Sequence, residues 1–116
     1  RAAGAPMVAT VTTDPSGLAD EILADLCRVF TRHPTIEEVR LFGSRAKGMH
    51  RPGSDIDLAV FAPSMSEEEF SALWNEIDEL PILFKIDLLH WDRLANLALK
   101  DKIRREGRCI YPERNP

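Results

Sequence analysis

The sequence predicts a mixed α/β fold of the α+β kind, a central mixed β-sheet flanked by helices. Three observations predict it. Apolar residues at helical spacing alternate along the chain with short segments of period two. Gly and Pro punctuate the joins between them. The 116 residues are 44% hydrophobic and 29% charged, which suits one domain built around one core. The order is αβ(α)βαβα, a layer of helices on a layer of strands.

Each element has its own signal. A first helix begins near Asp14-Pro15-Ser16, carries Leu18, Ile22, Leu26, Val29 and Phe30 at helical spacing, and stops at Pro34. Residues 1–13 are set apart as a mobile tail or an added remnant ahead of Met7, so the domain proper spans 14–116. Val39 and Leu41 alternate with Arg40 and Phe42, a short strand ending at Gly43. Ser44 to Gly48 reads as one or two helical turns, and Met49 to Ser54 as a loop. The second strand runs from about Asp55 to Phe61.

Ser66 and Glu69 then form a capping box ahead of a stripe of Phe70, Leu73, Trp74, Ile77 and Leu80, with Trp74 expected in the core, or at a partner interface if that stripe proves too wide. After Pro81, Ile82 to Leu89 is the third strand. Asp92 is expected to cap a last helix that contains Leu94, Leu97, Ala98 and Ile103 and ends at Gly107. Cys109-Ile110-Tyr111 adds a final short strand. His33 is expected to cap a helix end or stand exposed; His90 and Trp91 pack the end of the third strand.

Composition excludes several classes. A net charge of −4 argues against broad nucleic-acid binding, which shows as a basic balance. No apolar run approaches the ~20 residues that cross a membrane. The first residues lack the hydrophobic stretch of a secretory signal. Cys27 and Cys109 lack metal-ligand spacing and read as reduced thiols, so the expected location is the cytoplasm.

The chemistry concentrates in Leu41-Phe42-Gly43-Ser44-Arg45-Ala46-Lys47-Gly48 and in Asp55-Ile56-Asp57-Leu58-Ala59-Val60. Two carboxylates inside an apolar strand cost several kcal/mol unless something compensates. Strand periodicity puts Asp55 and Asp57 on one face, opposite Ile56, Leu58 and Val60. Asp87, in the third strand, converges on them if that strand neighbours the second. Three carboxylates on adjacent strands are hard-oxygen ligands suited to Mg²⁺ or Mn²⁺. Two ions ~3.5–4 Å apart would bind both the attacking and the leaving oxygens of a phosphoryl displacement.

The Gly-Ser turn suits the phosphates. Gly43 lets an anion approach the backbone, and Ser44 would open a short helix whose first N–H groups attract anions. The P-loop pattern is absent. From Arg40 to Ser54 the chain holds Arg40, Arg45, Lys47, Arg51 and His50 with no acidic residue, a basic stretch in an acidic protein. Arg45, nearest the turn, is the first phosphate ligand expected, and Lys47 the second.

Gly43-Ser44, ten intervening residues, Asp55-x-Asp57 and a later strand carrying Asp87 resemble the polymerase-β-like nucleotidyltransferase superfamily. The short chain is most similar to its minimal nucleotidyltransferases (the MNT family), the antitoxins of HEPN/MNT toxin–antitoxin pairs. The resemblance implies a mixed-sheet palm fold and two Mg²⁺ ions, with Mn²⁺ as substitute, held by Asp55, Asp57 and Asp87. It implies that Gly43, Ser44, Arg45 and Lys47 bind the triphosphate of ATP or another nucleotide. The implied reaction is adenylylation (AMPylation): AMP passes to a hydroxyl of a HEPN ribonuclease toxin, a tyrosine, with Asp87 beside the incoming hydroxyl. A hetero-oligomer with that toxin, and no membrane or direct nucleic-acid partner, completes the expectation. The alternatives are a non-catalytic module that neutralises its partner by binding, and a transferase for a small molecule of the aminoglycoside type.

Overall fold

The computed structural model describes residues 20–43, 55–82 and 85–112. Helix α1 (Asp20–Thr31) leads into strand β1 (Glu38–Phe42); β2 (Ile56–Phe61), α2 (Glu67–Asp78) and β3 (Ile86–His90) follow. A single 3₁₀ turn (Trp91–Arg93) precedes α3 (Leu97–Glu106), and β4 (Arg108–Tyr111) closes the order. The sheet has the order β3-β2-β1-β4. Strand β1 is antiparallel to β2 and to β4, whereas β2 and β3 are parallel. The fold is thus the mixed sheet with flanking helices that the sequence predicts. The parallel pair follows from α2, because parallel neighbours need a crossover between them.

Period two divides the sheet into two faces. Val39, Leu41, Ile56, Leu58, Val60 and Leu88 are buried on one of them. They pack in one cluster with Leu26, Val29 and Phe30 of α1 and with Leu73 and Ile77 of α2. Each large side chain so buried contributes about 1.5–3 kcal/mol. Helix α2 starts as expected: the Ser66 hydroxyl accepts from the Glu69 N–H at 3.0 Å.

Helix α3 closes part of the second face. Arg40 donates from Nη1 to the Arg104 carbonyl at 2.7 Å and from Nε to Glu38 at 2.7 Å, and its guanidinium lies 5.2 Å over the Phe61 ring. Phe61 stacks on Trp91 at 4.5 Å, and the Lys100 ammonium sits 4.3 Å over Trp91. These contacts gather at the C-terminal end of β2, away from Asp57.

Four expectations are corrected. The third strand starts at Ile86, not Ile82, because the Ile82 N–H turns back to the Leu80 carbonyl at 2.7 Å after Pro81. The cap of α3 is Asn96, whose side chain accepts from the Leu99 N–H at 3.0 Å. Asp92 lies in the 3₁₀ turn instead, and its carboxylate accepts from the buried Ala62 N–H at 2.7 Å. His33 is buried, with Nδ1 3.1 Å from Glu69 Oε2 and Nε2 3.2 Å from Glu76 Oε1. Trp74 is 36% exposed, because α2 buries only Leu73 and Ile77 fully and Trp74 falls at the edge of that stripe.

The tail at 1–13, the cap at Asp14, Leu18, the turns at Ser44 to Gly48 and the loop to Ser54 lie outside the described residues. Among the described residues no helix is long and apolar enough to cross a membrane.

Candidate active site

The topology collects the predicted residues at one end of the sheet. Strand β1 runs against β2, so its last residue meets the start of β2: Phe42 pairs with Asp57. Strand β3 runs with β2, so their starts lie together and Asp57 pairs with Asp87. Neighbouring strands stand about 4.8 Å apart. Asp57 and Asp87 therefore sit side by side on one face, and both are half-buried. Asp55 comes one residue before β2, at a position of the same face by period two, and is exposed.

Gly43 joins them directly. It follows the end of β1 with φ +81°, a left-handed conformation that favours glycine. A Cβ built there would stand 2.8 Å from Asp57 Oδ2. The backbone after β1 and the Asp57 carboxylate thus share a space that any larger residue would fill. Ser44, Arg45 and Lys47 lie outside the described residues.

The donor chemistry fits a hard divalent cation in part. Asp57 and Asp87 offer carboxylate oxygens from adjacent strands beside a bare glycine backbone, the kind of set that Mg²⁺ takes. Among the described residues no group of three or more His, Cys, Asp or Glu side chains stands close enough to hold an ion.

One feature of the site has no clear signal in the sequence. A cavity of about 170 Å³ opens beside Asp87, between α2 and the start of β3. Trp74, Ile77 and Asp78 of α2 form one wall; Ile82, Lys85 and Ile86 form another. The width of the α2 stripe bears on it, since Leu73 and Trp74 cannot both face the core.

Comparison with known proteins gives a family and a fold. The family model described as Polymerase beta, Nucleotidyltransferase matches residues 24–115. No curated protein matches the chain. A crystal structure of a toxin–antitoxin with AMP-PNP is similar at TM-score 0.61 and 24% identity, covering 81% of this chain and 73% of that one. A mutant of the toxin–antitoxin MntA-HpeT is similar at TM-score 0.59 and 23% identity, with the same coverage of 81% and 73%. At these identities the likeness is one of fold.

Proposed function

This chain belongs to the polymerase beta nucleotidyltransferase family, and we propose that it transfers a nucleoside monophosphate, AMP from ATP, to a hydroxyl of a protein partner. The observation that carries the reading is the pairing of Asp57 with Asp87 across β2 and β3, next to the left-handed Gly43. Asp57 and Asp87, with Asp55 completing the set, would hold Mg²⁺, which supplies charge neutralisation on the phosphates. Gly43 leaves room for the triphosphate at the backbone, with Ser44, Arg45 and Lys47 as its further ligands. The acceptor oxygen attacks the α-phosphorus, the bond to the bridging oxygen breaks, and pyrophosphate leaves. Asp87, on the edge strand, is the carboxylate that would receive the hydroxyl proton.

The solved structures bear on the partner. The similar toxin–antitoxin structures support an antitoxin role; a HEPN-type toxin as acceptor, modified at a tyrosine, is what the family resemblance adds. A second reading is a module that neutralises its partner by binding alone, and the experiment below separates the two.

The test uses labelled ATP, Mg²⁺, the protein encoded beside this one and the full chain. Label should appear on the partner, and Asp57→Asn and Asp87→Asn should each lower it by more than about 10–100-fold, the loss that even an outer-shell partner of a metal ligand brings. Neutralisation that persists in both variants with no label transferred would establish the binding reading instead.

A further inference from the structure

The end of α2 beside the cavity is built against its own electrostatics. The C-terminal pole of a helix is negative and favours cations. The last turn of α2 has no basic residue; it holds Asp78, with Glu79 next, and both are exposed. Trp74 lies one turn before Asp78, so the two side chains share a helix face. Both line the cavity that contains Asp87. Phe70 meets the Trp74 ring edge-on at 5.9 Å, which orients the indole at the cavity mouth.

An exposed indole next to a carboxylate at a negative helix pole recognises one chemistry: a cation on an apolar stem. The aliphatic part of such a side chain packs along Ile82 and Ile86, and its charged head meets the Trp74 ring and Asp78. An anionic lipid or nucleic acid would meet repulsion at Asp78, Glu79 and Asp87. Lys85 lines the opposite wall, so the cavity sets one cation against the carboxylates of Asp78 and Asp87 and stays acidic on balance.

We infer that Trp74 and Asp78 clamp an arginine or lysine side chain of the acceptor protein at the mouth of the cavity that holds Asp87. The inference rests on the acceptor being a protein, as proposed above, and adds what that protein carries near its modified hydroxyl: a basic residue within one cavity's width. It gives Trp74 and Asp78 a role in holding the acceptor and none in the transfer step.

The experiment titrates the full chain, without nucleotide, with the peptide acetyl-Gly-Arg-Gly-amide and with its citrulline counterpart, following the Trp74 indole N–H by NMR. The arginine peptide should give a saturable shift that weakens with salt, and citrulline a shift several-fold weaker. Asp78→Asn should weaken arginine binding about three-fold, the size of one exposed ion pair, while the Trp91 indole signal stays in place and reports an intact fold. No saturable shift up to about 100 mM peptide, equal shifts with citrulline, or an unchanged affinity in Asp78→Asn would each overturn the clamp. Because the titration needs no nucleotide, its outcome is separate from that of label transfer: transfer can fail with the clamp intact, and the clamp can fail with transfer retained.

Discussion

Gly43 leaves its missing side chain's space to Asp57: a Cβ at position 43 would stand 2.8 Å from the Asp57 Oδ2. The glycine also has φ +81°, so alanine there meets two penalties. The left-handed backbone costs about 1–2 kcal/mol for a residue with a Cβ, and the new methyl pushes the carboxylate aside. Gly43→Ala should lose about that much stability in a urea titration. Label transfer at a temperature where the variant is fully folded should fall much further. Equal loss in both would mean that Gly43 serves only the turn.

Asp57 and Asp87 oppose one another across parallel strands, and like charges placed so destabilise a sheet by roughly 0.2–1 kcal/mol. Asp87→Asn should therefore raise the stability of the metal-free protein slightly while abolishing transfer. Adding MgCl₂ should raise the Tm of the parent chain and move that of Asp87→Asn much less, since binding to the folded state alone stabilises it. A thermal melt with and without Mg²⁺ checks both. A parent Tm indifferent to Mg²⁺ would count against a metal at this pair.

Much of this site could be read from the chain because its signals are local. Period two puts Asp55 and Asp57 on one face from sequence alone, and a glycine after an alternating segment marks the turn at Gly43. The side-by-side placement of Asp57 and Asp87 is different in kind. It depends on the strand order β3-β2-β1-β4, which no local pattern encodes and which the family resemblance anticipated. Trp74, Asp92 and His33 depart from their first expectation for one reason. Each could satisfy a local rule (core stripe, helix cap, exposed end), and a partner far along the chain decided otherwise: the cavity beside β3, the Ala62 N–H, and Glu69 with Glu76.

His33 ties the chain after α1 to helix α2. Its ring is buried between Glu69 and Glu76, and Thr35 donates a further hydrogen bond to Glu69 at 3.1 Å. Truncation removes the contact from two carboxylates at once and leaves a void. His33→Ala should cost about 1–3 kcal/mol. A cycle with Glu76→Ala should show a coupling of at least about 0.5 kcal/mol, the threshold for residues in one network. Additive effects in urea denaturation would mean that the ring serves as packing only.

On the surface of α3 the Arg105 Nε donates to Asp101 at 2.8 Å and holds its carboxyl below the ordinary value; burial opposes this, and the charges of Arg105 and Arg104 add to it. A lowered folded-state pKa means stability that is present above the unfolded value, about 3.9, and lost as pH falls through the folded one. Asp101→Asn should thus be slightly less stable than the parent at neutral pH. The difference should begin to shrink as the pH drops below about 4 and vanish only below the lowered folded-state value, and should shrink with salt because the pair is exposed. Melts across pH and ionic strength test it.

Asp92 and Asn96 compete in sequence for one task, and the structure gives each its own. The Asn96 side chain caps α3 at the Leu99 N–H, whereas the Asp92 carboxylate accepts from Ala62, whose residue is wholly buried after β2. Removing the cap in Asn96→Ala should cost about 1 kcal/mol and speed hydrogen exchange within α3 alone. Removing the acceptor in Asp92→Ala strands a buried N–H, costs about 1–3 kcal/mol, and should speed exchange at Ala62. Exchange measured residue by residue separates them. If Asp92→Ala loosened α3 and left Ala62 unchanged, the carboxylate would be the helix cap after all, and the link between the end of β2 and the turn after β3 would have to be carried by another contact, the stack of Phe61 on Trp91.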